Sequence, residues 1–193
     1  MKHARLNLPA ASVVLGAALT LGSVACGGGG DISGIYQSTQ VTRDATGCGP
    51  GTSTTTPAFV RVQAGELLGA SFFTVKACSG QEDSTCGANL ASVITNGALA
   101  TEIDGGFSGG VDAASGFDGR CALTRIEVKA TRSGEVITIE GSRRTGELMV
   151  SSAECTTDLA KARAAELSCV GFERFVGNRV GDVPKADGLN LEF

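Results

Sequence analysis

The chain has 193 residues, 16 Lys and Arg against 20 Asp and Glu, and a formal net charge of −4. That length suits one domain with a real core. The acidic balance argues against nucleic acid, or an anionic membrane surface, as a charge-driven partner. There is one histidine (His3), one tyrosine (Tyr36), no tryptophan and seven cysteines.

The first 25 residues read as an export leader. Lys2, His3 and Arg5 form a cationic start, and Leu6 to Ala25 is uncharged and mostly Ala, Val, Leu and Gly. A cationic start, an apolar run and then small residues is the layout of a secretory signal. Pro9 and the scattered glycines weaken a membrane-spanning helix, and glycine rather than Lys or Arg follows Cys26. Ser23-Val24-Ala25-Cys26 resembles the lipobox of bacterial lipoproteins, with Ala25 and Cys26 matching and Ser23 in the position of the usual Leu. The resemblance implies cleavage before Cys26 and lipidation of its thiol. Acyl chains such as palmitate would then tie the protein to a membrane, and more than one chain is needed for stable anchoring. It also implies placement in the cell envelope. Gly27 stands where Asp retains many such proteins at the inner membrane, so the outer membrane is the expected site.

Removing Lys2 and Arg5 with the leader leaves 14 basic residues against 20 acidic ones, a formal charge of −6 for the mature chain. Gly27 to Gly30 cannot bury apolar surface and read, with Cys26 and Asp31, as a tether over 26–31. One domain is expected over 32–193. Assigning Cys26 to lipid leaves Cys48, Cys78, Cys86, Cys121, Cys155 and Cys169. Six is an even set, consistent with three disulfides in an oxidising compartment.

Within that domain the apolar period is mostly two. Ile35 to Thr42 alternates, Val60 and Val62 flank Arg61, and Phe73, Val75 and Ala77 lead to Cys78. Cys78–Cys86 is expected to close a hairpin loop. Asp104 to Gly119 is too rich in glycine for a stable strand interior and is expected to be a long loop with a short strand at most. Ile126, Val128 and Ala130 alternate again, Ser133-Gly134 supplies a turn, and Ile137 and Ile139 follow. A second turn is expected at Arg144-Thr145-Gly146, ahead of Leu148 and Val150, with Arg143-Arg144 at a solvated tip. Short alternating runs between glycine-bearing turns indicate an antiparallel meander.

Residues 156–167 break the pattern. They are rich in helix formers, with Thr156 or Thr157 as N-cap, Asp158 in the first turn, and Ala160, Ala164 and Leu167 on one face. A regular helix of that length separates its ends by more than ~15 Å, whereas a disulfide needs Cα atoms within about 7 Å. Cys155 and Cys169 therefore pair with each other only if the chain folds back, and otherwise each pairs with a strand. The expected fold is mainly β, an antiparallel meander forming a barrel or sandwich, with one short helix near 156–167. Gly34-Ile35-Tyr36 is similar to the Gly-x-Trp segment of lipocalin-type barrels, with tyrosine in place of tryptophan. No ligand-site residue is carried over on that basis.

Catalytic chemistry finds little support. Gly106-Phe107-Ser108-Gly109-Gly110 matches G-x-S-x-G, but the only histidine lies in the leader, so no Ser-His or Cys-His pair is available. There is no S-x-x-K, and no G-K-[ST] follows the glycines near Gly47. Zinc lacks histidine and C-x-x-C spacing. Asp104, Asp112 and Asp118 could offer oxygen to calcium, but fit no EF-hand spacing. No catalytic residue, metal or cofactor is expected. The sequence points to a lipid-anchored envelope protein with a non-catalytic structural or protein-contact role. The alternative is a lipocalin-like module for a small apolar ligand.

Overall fold

A computed structural model describes residues 31–67, 69–87, 98–183 and 186–187. The leader, Cys26 and Gly27 to Gly30 lie outside the described residues. The strands are β1 (Gly34–Asp44), β2 (Thr52–Thr54), β3 (Phe59–Leu67), β4 (Ala70–Cys78), β5 (Cys86–Gly87), β6 (Ala98–Ile103), β7 (Gly106–Phe117), β8 (Arg120–Ser133), β9 (Val136–Met149), β10 (Ser168–Gly181) and β11 (Ala186–Asp187). One α-helix, α1 (Thr157–Ala162), lies between β9 and β10. The fold is mainly β and antiparallel, as the alternation indicated.

The pairing makes a barrel at one end only. Near the domain's N-terminus the ladder runs β1–β3–β4–β6–β7–β8–β9–β10 and returns to β1, closing on itself. Further along, β7 is paired with β6 only as far as Gly109, while β7, β8 and β9 continue together to Phe117, Arg120 and Met149. On the far side, β1 is flanked there by the three-residue β2. The sheet thus opens from a closed barrel into a curled half-barrel.

The closed end is filled by the alternating residues. Val60, Val62, Phe73, Val75, Ala130, Ile137, Ile139 and Phe175 are at most fractionally exposed and form one core with Tyr36, Phe107 and Val128. Tyr36 and Val41 both face this core despite opposite parity, because the register shifts between Ser38 and Gln40. An extra residue in one strand is how a bulge re-aims side chains.

β8 serves two cores. Val128 and Ala130 point into the barrel, whereas Cys121 and Leu123, of opposite parity on an unshifted strand, join Ala160 and Leu167 outside it. The helix therefore covers the outer face of the flared half. It is shorter than the composition suggests. Thr156 caps it, its hydroxyl accepting from Leu159 N at 3.2 Å. Residues after Ala162 turn so that Leu167 reaches the sheet, and Ala164 is not in that second core.

Two sequence expectations are corrected. Asp104 to Gly119 is not a long loop: a tight turn at Asp104-Gly105 leads into the twelve-residue β7, paired throughout with β8. Its glycines mark close approach. A Cβ on Gly106 would collide with the Ala130 carbonyl oxygen, and one on Gly110 would sit 2.8 Å from that of Ile126. Arg144-Thr145-Gly146 is not a turn either, since β9 passes straight through it. Gly146 leaves room for Leu167, whose Cδ2 would lie 2.8 Å from an added Cβ. Arg143-Arg144 accordingly lies within a strand.

Candidate functional site: the mouth of the half-barrel

All six cysteines beyond the tether are paired: Cys48–Cys169, Cys78–Cys86 and Cys121–Cys155. Cys78–Cys86 closes the loop between β4 and β5, as expected. Cys155 and Cys169 do not bridge the helix. Cys155 ties its start to β8, and Cys169 in β10 holds the loop after β1. That loop is organised by Asp44, whose carboxylate accepts from the amides of Thr46, Gly47 and Gly49 at 2.9 to 3.0 Å. Those amides, Thr46 and Gly49 foremost, hold its carboxyl below the usual aspartate value.

Above the apolar core, the inner face changes character. Glu173 of β10 faces inward at 1% exposure. Its Oε1 accepts from Arg43 on β1 at 2.7 Å. A buried carboxylate is costly to desolvate and requires such a partner. Arg43, Arg143, Gly171, Phe172 and Glu173 line a cleft of about 200 Å³ where the closed barrel opens. Further out, the concave face carries the exposed Ala113, Ser115, Ala122 and Glu147, and its rim carries Phe117 and Met149, 78% and 76% exposed.

On the opposite, outer face, Asp112 and Glu127 bind Arg125. Asp112 grips it with both oxygens at 2.8 and 2.9 Å, and Glu127 accepts from Nε at 2.8 Å. Burial opposes the arginine charge, but the two carboxylates outweigh it and raise the pKa. A second shallow groove of about 270 Å³ on this face is lined by Ser108, Glu127, Lys129, Glu140, Ser142 and Phe172.

The candidate residues for chemistry are dispersed. Asp104 precedes β7, Asp112 is locked to Arg125 midway along it, and Asp118 sits in the turn after it. The strand keeps the first and last about 35 Å apart. Among the described residues no cluster of three or more His, Cys, Asp or Glu is placed to hold a metal. Ser108 lies inside β7, paired with Thr101 and Lys129, rather than on a strand-to-helix elbow. The Arg43–Glu173 pair was not foreseen. The signal was a glutamate two residues before the core residue Phe175, obscured because Phe172 and Phe175 are three apart and face opposite sides of β10.

These features define a disulfide-stapled antiparallel β domain, packed at one end and open at the other. Set beside known proteins, the chain matches no family model, no curated protein and no solved structure. Among the described residues no helix is long and apolar enough to cross a membrane.

Proposed function

We propose that the chain is an exported, lipid-anchored envelope lipoprotein whose β domain acts as a non-catalytic protein-contact module. One observation carries this reading. Three disulfides use every cysteine except Cys26, so the residue left over in an odd set of seven is the one at the end of the leader. Disulfides persist in oxidising compartments such as the periplasm or the cell surface, and a leftover cysteine in an exported chain calls for another use. Anchoring would be by acyl chains on Cys26, with the outer membrane favoured over the inner by Gly27. The contact role is supported by the open concave face and by Phe117 and Met149 on its rim. A small apolar ligand is less well supported, because Tyr36, Phe73, Phe107 and Phe175 fill the closed end. Metabolic labelling with a palmitate analogue tests the anchor: the wild-type chain takes the label and Cys26→Ala does not. Equal labelling of both overturns the reading.

A further inference from the structure

The domain is held rigidly where the tether enters it. Ile32 is fully buried, and its carbonyl accepts from the Tyr36 hydroxyl at 2.7 Å. Arg132 donates to the Asp31 carbonyl at 2.8 Å, and Arg179 to that of Ser33 at 3.0 Å. The Ser33 hydroxyl accepts from Ala64 N at 3.1 Å. These contacts place Asp31 at the closed end, beside the turns at Asp104-Gly105 and Gly134-Glu135. Arg132 N bonds Gly105 O there, and Arg179 N bonds Glu135 O.

From this we infer that the anchored domain has its closed end next to the bilayer and its mouth facing away, an inference that rests on lipidation at Cys26. Only five residue steps separate Cys26 from Asp31, which reach at most about 18 Å. From Arg132 at the closed end to Arg120 at the mouth, β8 runs about 40 Å. Strand tilt of the size found in barrels leaves about 30 Å of height. Resting the mouth on the bilayer would lift Asp31 about 30 Å from it, beyond the tether's reach. The flank formed by β8, β9 and β10 offers little to lie on. Arg125, Glu127, Lys129, Glu140 and Arg174 populate the outer faces of β8, β9 and β10. Among the described residues the large exposed apolar side chains instead sit at the two ends, Val136 and Val180 at the closed one and Phe117 and Met149 at the mouth, apart from Val111 on the inner face. Phe117 and Met149 therefore present to a protein partner beyond the bilayer and do not insert into lipid.

The absence of tryptophan makes the test direct. Single reporters are placed at the closed end (Glu135→Trp, or Val136→Trp) and at the mouth (Phe117→Trp, or Met149→Trp). The full-length acylated protein is reconstituted in phosphatidylcholine vesicles carrying headgroup spin-labelled lipid. The expected result is strong quenching of both closed-end reporters and unchanged emission from both mouth reporters. Quenching of the mouth reporters, alone or equally with the closed-end pair, overturns the orientation while leaving the anchor intact. Mature protein without acyl mass on Cys26 removes the anchor and the orientation together. Two reporters at each end guard against one substitution disturbing the fold.

Discussion

Tyr36 is the only tyrosine in a chain without tryptophan, so near-ultraviolet absorbance of the domain reports a single phenol. Burial in the closed end raises its pKa from 10.0 to about 12. Asp31 and Glu135 push the same way, and nearby Arg132 and Arg179 oppose them. The neutral phenol is favoured in the folded state, where it donates to the Ile32 carbonyl. Its contribution is therefore complete below pH 10 and is lost as pH rises from 10 to about 12. At about 1.4 kcal/mol per unit, that is a loss of roughly 3 kcal/mol. The assay is a reversible alkaline titration of tyrosinate absorbance, with circular dichroism recorded at each step. Ionisation should lag well behind that of free tyrosine and coincide with loss of β signal. Tyr36→Phe should remove this alkaline decline while costing about 1 to 3 kcal/mol at neutral pH, since the Ile32 carbonyl loses its donor. A midpoint near 10 with the strands intact would refute the buried placement of Tyr36.

Three further outcomes follow from the packing and the loop. Gly106→Ala should prevent stable folding or cost more than about 3 kcal/mol in a denaturant titration, because its Cβ meets a backbone oxygen that cannot move aside; a loss under about 1 kcal/mol contradicts the β7–β8 register. Arg43→Ala should cost about 2 kcal/mol by taking a charged partner from buried Glu173, and an unchanged denaturation midpoint would show that the pair does not form. Asp44 has a lowered pKa, so its contribution is present above its unfolded value near 3.8 and fades as pH falls below that. Asp44→Asn should flatten this acid-side decline, read as the pH dependence of the melting temperature.

The strands easiest to see in the sequence were those with one apolar face throughout. Phe73, Val75 and Ala77, and Ile137 with Ile139, alternate because a single core lies on one side of them. β7 was hidden because glycine ordinarily weakens a strand, whereas here Gly106 and Gly110 are required by the closeness of β8. The length of β9 was hidden at Gly146 for a related reason, the side chain of Leu167 taking that space. β8 changes its buried face between Leu123 and Val128, because a barrel core lies on one side and a helix on the other. That switch depends on which elements pack where, and no local period encodes it. Of the site, the cysteine set was legible by parity, but its pairing required the fold apart from Cys78–Cys86. The Arg43–Glu173 pair joins residues 130 apart in sequence, and only the closure of β1 on β10 brings them together.

Intact mass spectrometry of the mature protein, extracted from membranes without reductant, tests the lipid-anchored and disulfide-stapled account most directly. The account predicts a chain beginning at Cys26, heavier by its acyl groups and lighter by the six hydrogens lost in three disulfides, with no thiol open to alkylation. A soluble, unacylated chain, or one with free thiols at Cys48, Cys78, Cys86, Cys121, Cys155 or Cys169, would contradict it.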